Sequence, residues 1–238
     1  MAVYNINGDA VADVTPNYNE WGGAVASFIG DSITAGTNTT KIYTQYLQEI
    51  VGFSACNNYG ISGSSISNRN NPMCERYQAV DSSSDIIFVF GGTNDFHFNV
   101  PLGDMFTVDG INRSYNIDTS TFRGALNTLC LGLINKFPGK QIVLLTPVHR
   151  NVFQQQLTDL QKNSADAYLE DYVDCIKEAA RMFSVNVIDL FGYSGLFPYD
   201  TNNAGIYYHS DDKLHPGADG HEQIAKIIAE HLKYIPKT

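Results

Sequence analysis

The sequence predicts an α/β fold, a three-layer α/β/α sandwich with a central parallel sheet of about five strands. Three observations carry this prediction. Several short runs are apolar throughout rather than alternating, as expected of strands buried on both faces. Stretches with apolar residues at helical spacing lie between those runs. The alternation continues over the whole chain, so a single domain is expected.

Residues 1–20 are polar and turn-rich, with Asn5-Ile6-Asn7-Gly8 and Thr15-Pro16-Asn17, and read as an N-terminal extension or linker to a domain at 21–238. Ala24–Ile29 is an apolar run ending in Gly30, a buried strand followed by a turn. Thr40–Val51 carries Ile42, Tyr43, Tyr46, Leu47 and Ile50 at helical spacing, and Ser54–Tyr59 is a weaker strand signal. Asp85–Phe90 is a strong strand closed by Gly91-Gly92. Phe122–Phe137 reads as a helix, with Leu126, Leu129, Leu131 and Leu133 among its apolar positions. Gln141–Leu145 is a continuous apolar strand stopped by Thr146-Pro147. Ala165–Phe183 reads as a long amphipathic helix and Val185–Leu190 as a fifth strand. His221–Tyr234 is the last helix, with Ile224, Ile227, Ile228 and Leu232 on one face. Tyr193–Asp212 is the longest irregular segment near the C-terminus, a kind of loop that is often functional.

With 43% hydrophobic and 17% charged residues over 238 positions, the chain is unlike a disordered one and can bury a core without disulfides or metals. Its 25 acidic and 15 basic residues give a net charge of −10, a field that repels nucleic-acid backbones and anionic lipid surfaces. Neither nucleic acid nor membrane insertion is therefore expected. No stretch reaches the ~20 apolar residues of a membrane-spanning helix, and the N-terminus lacks the apolar run of a secretory signal. As written the chain reads as cytoplasmic, or as secreted if an upstream signal has been removed. Cys56, Cys74, Cys130 and Cys175 are scattered, with no C-x-x-C pair and no zinc-ligand spacing. They read as buried free thiols, with a Cys56–Cys74 bridge as the alternative, and no metal or cofactor is expected.

In an open α/β sheet, ligands bind beyond the carboxyl ends of the strands. The segments there are Gly30-Asp31-Ser32-Ile33-Thr34, Asn58-Tyr59-Gly60-Ile61-Ser62-Gly63 and Gly92-Thr93-Asn94-Asp95, with Asp212-Lys213-Leu214-His215-Pro216 before the last helix. Ser32 follows a buried strand directly, and a serine hydroxyl becomes a nucleophile only when a base takes its proton. His215 is the best-placed base, and Asp212, three residues earlier, can hold its ring in one tautomer. Taken singly, each residue has a plainer role: Ser32 as a helix cap, Asn94 and Asp95 as an Asx-turn, His215-Pro216-Gly217 as a helix-entry turn. Four such segments at one sheet end favour chemistry. No Gly-x-Ser-x-Gly occurs, which argues against a nucleophile elbow.

These four blocks, in this order, resemble those of the SGNH (GDSL) hydrolase family over roughly residues 24–233. The resemblance implies a flavodoxin-like fold and a serine esterase that forms an acyl-enzyme on Ser32. It also implies a triad of Ser32, Asp212 and His215, and an oxyanion hole built from the N–H groups of Ser32 and Gly63 and the amide of Asn94. Gly60 is a rival for the glycine role. The chain departs from the pattern in reading Gly-Asp-Ser-Ile, and in placing Asp211 before Asp212, where the x-x spacing selects Asp212. The family's substrates include acetylated sugars, lipids, aryl esters and acyl thioesters. The expected partner is a small-molecule or carbohydrate ester with a short acyl group such as acetyl. Alternatives are a lipase or thioesterase for longer chains, an inactive carbohydrate-binding module, and a carboxylate-pair glycosidase. His97, just behind Asn94, is a candidate pocket residue, as are Tyr207 and Tyr208 in the loop before the Asp–His pair, which also holds Tyr193, Phe197 and Tyr199. The remaining histidines, His149, His209, His221 and His231, read as structural, the last two at the surface of the final helix.

Overall fold

Five parallel strands form the central sheet of the computed structural model: β1 (Val25–Gly30), β2 (Ala55–Gly60), β3 (Ile86–Phe90), β4 (Gln141–Leu145) and β5 (Asn186–Ile188). Their spatial order is β2-β1-β3-β4-β5. The structure describes residues 18–151, 154, 156–209 and 212–237, together with the paired Val3–Tyr4 and Ala10–Val11. Most of the expected extension at 1–20, and Asp211, lie outside the described residues. β3 is buried at every position, and Phe88 stacks on Phe28 of β1 at 4.8 Å, so the apolar runs are a sheet covered on both faces. Gly30 pairs with Phe90 and Phe90 with Leu145, so β1, β3 and β4 end side by side. The strand order reverses between β1 and β3, the switch point where such sheets bind ligands.

Nine α-helices lie among the described residues. They are α1 (Ser32–Ala35), α2 (Tyr43–Val51), α3 (Met73–Arg76), α4 (Thr93–His97), α5 (Phe122–Lys136), α6 (Leu169–Phe183), α7 (Leu190–Tyr193), α8 (Thr201–Tyr207) and α9 (Ala218–Leu232). Leu126, Leu129 and Leu133 of α5 and Tyr172, Ile176 and Ala179 of α6 share a core with Ile87 and Val89 on one sheet face. Leu47 of α2 and Ile224, Ile228 and Leu232 of α9 share the other with Phe28 and Phe88. The indole of Trp21 donates to the Ile235 carbonyl at 3.0 Å beside that second core.

Several boundaries differ from the sequence reading for local reasons. α2 starts at Tyr43 rather than Thr40, because Gly36 and Asn38 turn the chain through positive φ. α6 starts at Leu169 rather than Ala165: Asn163 Oδ1 accepts from the Ala165 and Ala167 N–H groups, and Asp171 then accepts from Tyr168 N–H to open the helix. The fifth strand stops at Ile188, since the Asp189 side chain caps α7 by accepting from Gly192 N–H. The segment expected to be irregular, Tyr193–Asp212, holds α8, capped by Asp200, and enters an antiparallel ribbon of Tyr208–His209 with Asp212–Pro216. A hairpin, Phe106–Asp109 with Asn112–Tyr115, had no signal because most of its residues are polar and exposed. His221, expected at the surface, is fully buried. Its Nδ1 accepts from Tyr43 N–H at 3.2 Å, and burial, with His215 nearby, pulls its pKa down to about 4. All four cysteines are free thiols, and burial pushes each up to about 12.

Candidate active site

The end of β1 sets the first residue. Asp31 Oδ1 accepts from Ile33 N–H at 3.0 Å, capping the one-turn helix α1 and holding Ser32 at its start. Ser32 keeps 8% of its surface exposed. Gly60, at the end of β2, lies against this turn. A Cβ there would stand 2.4 Å from the Ala35 nitrogen, so only glycine lets the strand end pass α1.

The ribbon Asp212–Pro216 brings in the second and third residues. His215 Nε2 lies 2.9 Å from Ser32 Oγ, and His215 Nδ1 hydrogen-bonds to Asp212 Oδ2. Because a carboxylate accepts at Nδ1, that nitrogen carries the proton and Nε2 is left to accept from the serine hydroxyl. Asp212 Oδ1 accepts from the N–H groups of Leu214 (2.8 Å) and His215 (3.0 Å), while Oδ2 also accepts from Asn38 Nδ2 at 2.6 Å. Burial alone would raise the Asp212 carboxyl. The hydrogen bond and charge of His215 and the backbone donors outweigh it and hold the carboxyl below the ordinary range.

The other two blocks meet at Ser64. Gly63 adopts φ +77°, and its carbonyl accepts from Asn70 Nδ2 at 2.8 Å. Asn94, in the first turn of α4, donates one amide hydrogen to the Ser64 carbonyl at 2.9 Å. Asp95 beside it accepts from the Ile66 and Ser67 N–H groups at 2.8 and 2.9 Å. Arg76 donates to the carbonyls of Gly30 and Tyr59 and to Ser64 Oγ, tying the ends of β1 and β2 to the same loop. Burial raises both Asp31 and Asp95 to about 6, against the backbone hydrogen bonds that favour their charged forms. Among the described residues, no group of three His, Cys, Asp or Glu side chains is placed to hold a metal.

Residues 28–223 match the family described as GDSL-like lipase/acylhydrolase. The chain belongs to that family. This GDSL-like protein is a serine ester hydrolase. It is similar to a protein of known structure from Lactobacillus plantarum, at 30% identity and a TM-score of 0.77, covering 90% of this chain and 98% of that one. A possible lipase from Chitinophaga pinensis shares the fold at 21% identity and a TM-score of 0.67, with 89% and 98% covered. A lipase/acylhydrolase from Enterococcus faecalis does so at 18% identity and a TM-score of 0.60, with 90% and 97% covered. No curated protein matches the chain in sequence.

In this GDSL-like hydrolase the structure brings Ser32, His215 and Asp212 into one hydrogen-bonded line. It distinguishes the two glycines: Gly60 is required by packing against α1, and Gly63 stands in the loop with positive φ. It places Tyr208 in the wall of a cleft with Ala204, Gly205 and Lys213. That ring is buried, with its hydroxyl donating to the His149 carbonyl at 2.6 Å and its backbone paired with Pro216 in the ribbon. Tyr207 packs on the α2–α9 core, and its carbonyl accepts from Gly217 N–H at 2.8 Å, so it anchors the entry to α9. His97 ends α4 with its ring 5.1 Å from that of Phe98, and burial and the charge of Arg150 lower its pKa. Asn38, Arg76 and Arg150 were not foreseen, since the contacts that tie them to the site reach Asp212, Gly30 and Thr93, far away in sequence. Only Asn38, left-handed at φ 61°, carries a trace.

Proposed function

We propose that the protein removes short acyl groups, such as acetyl, from carbohydrate esters through an acyl-enzyme on Ser32. The single observation that carries this reading is the 2.9 Å contact of Ser32 Oγ with His215 Nε2, backed by Asp212. In the first step Ser32 Oγ attacks the ester carbonyl carbon while His215 Nε2 takes the hydroxyl proton. The tetrahedral intermediate collapses as His215 returns that proton to the leaving alcohol oxygen. Water then attacks the acyl-enzyme with His215 as base again, releasing the acid and restoring Ser32. The oxyanion is held by the Ser32 and Gly63 N–H groups and by the Asn94 amide hydrogen not used on Ser64. Asp95 and Arg76 fix that loop before substrate arrives, which supports the assignment.

A short acyl group is supported by the packing below the turn. Ile33, Phe90, Pro147, Val148 and Leu214 close around a void too small for a water molecule, so no acyl tunnel enters the core there. The test is hydrolysis of 4-nitrophenyl esters of increasing acyl length and of acetylated sugars, with labelling by a fluorophosphonate. The wild type is expected to label at Ser32 and to prefer acetate. Ser32→Ala and His215→Ala are expected to lose hydrolysis while keeping their fold. Wild-type turnover in Ser32→Ala would overturn the nucleophile, and a preference for long chains would overturn the substrate class.

A further inference from the structure

A second Asp–His pair lies further along the same sheet edge, beyond β4. His149 Nδ1 is 2.6 Å from Asp159 Oδ2, and Asp159 also accepts from Arg150 N–H and from the Tyr199 hydroxyl. Asp159 is 5% exposed, so three donors converge on one buried carboxylate that orders a partly exposed imidazole. Phe191 lies 3.8 Å from the imidazole, ring centre to ring centre, and Phe197 meets it edge-on at 5.7 Å, fixing its plane. With Nδ1 committed to Asp159, Nε2 has no hydrogen-bond partner among the described residues, and the ring lines an open cleft of about 390 Å³. Leu160, Tyr168, Glu170 and Phe191 complete its walls. That volume lies within the range of small-molecule sites, about 300–1,000 Å³.

The cleft is built onto the catalytic apparatus. Arg150 donates to the carbonyl and hydroxyl of Thr93, one residue before Asn94. Asn151 N–H donates to the Lys213 carbonyl, and the His149 carbonyl receives the Tyr208 hydroxyl from the ribbon that carries His215. β4, which leads into His149, stands two strand spacings, roughly 10 Å, from β1, which leads into Ser32.

The wall chemistry selects the ligand. Leu160 and Tyr168 are exposed apolar surfaces, suited to the C–H face of a ring. His149 Nε2 and the exposed Glu170 carboxylate offer hydrogen bonds to hydroxyl groups. Glu170 and Asp159 disfavour an anion, and Lys162, 5.6 Å from the Tyr168 ring, is itself held by Asp166 at 2.8 Å. We propose that this cleft is a subsite for a neutral sugar ring on the leaving-group side of the substrate. The proposal rests on the carbohydrate reading above and gives it a location.

The test compares an O-acetylated xylotriose with 4-nitrophenyl acetate for the wild type, His149→Ala, Tyr168→Ala and Glu170→Gln. The last two change exposed side chains and guard against a folding defect in the first. His149→Ala is expected to raise KM for the sugar ester about tenfold, the worth of one hydrogen bond, and to affect KM more than kcat. Tyr168→Ala and Glu170→Gln are expected to raise it about threefold, and all three to lower the preference for the sugar ester over the aryl ester. An unchanged KM in all three variants, or equal losses on both esters, would overturn the subsite alone. Failure of the wild type to cleave the sugar ester, with 4-nitrophenyl acetate still cleaved, would overturn the carbohydrate reading and the subsite together.

Discussion

Two Asp–His pairs stand on one sheet edge, and they differ in what lies beyond Nε2. At His215 it is Ser32 Oγ, 2.9 Å away, with both side chains largely buried. At His149 it is an open cleft with aromatic and aliphatic walls. In both, a buried carboxylate fixes one tautomer and turns Nε2 outward. The carboxylate–imidazole unit therefore does not define a catalytic site. It is a device for aiming one imidazole nitrogen in a fixed direction, and the neighbouring atom decides its use.

The largest expected effect separates the two carboxylates. Asp212→Asn is expected to lower kcat for 4-nitrophenyl acetate by about 10³–10⁴, by analogy with loss of the carboxylate in other triads. Asp159→Asn is expected to act mainly on stability. It leaves an amide facing three donors and costs about 2–3 kcal/mol, read by thermal unfolding. If Asp159→Asn lowered kcat as far as Asp212→Asn, the contrast between the pairs would fall.

Asn38→Gly sharpens the Asp212–His215 side of the comparison. Glycine keeps the left-handed backbone at φ 61° and removes only the amide donor on Asp212 Oδ2. Asp212 then loses the donor that fixes Oδ2 against the His215 ring, so kcat for 4-nitrophenyl acetate is expected to fall about tenfold, as for one charge-assisted hydrogen bond. A variant with a lower melting temperature and unchanged kcat would make Asn38 merely structural.

The smallest effect concerns Asp31. Its carboxyl is raised to about 6 by burial, so its contribution to stability is full below its unfolded value of 3.8 and is lost as pH rises through 6. Asp31→Asn does not titrate. The melting temperature of the variant relative to wild type is expected to rise between pH 4 and pH 7. A constant difference across that window would place the ionised Asp31 in a better-solvated setting than the structure gives it.

The sheet was legible because β1, β3 and β4 are largely apolar runs ending in turn residues, and Ser32, Asn94 and His215 could be singled out because each follows or precedes an element in a short fixed pattern. The hairpin Phe106–Tyr115 was not, since its strands bury too little to leave a period. Tyr208 carried only half of its role. An aromatic residue in a polar stretch looks like a loop wall, whereas here it also packs into the α2–α9 core and its hydroxyl donates to the His149 carbonyl. His149 gave no signal at all. Its meaning depends on Asp159 and Phe191, which meet it only when the ends of β4 and β5 come together.

The four thiols have a practical consequence. Their pKa values, all near 12, leave almost no thiolate at neutral pH. The protein should stand up to alkylating reagents and mild oxidants without change in activity. A single cysteine introduced at the exposed Tyr168 position would therefore be the reactive one, and a fluorophore attached there would report directly on whatever enters beside His149.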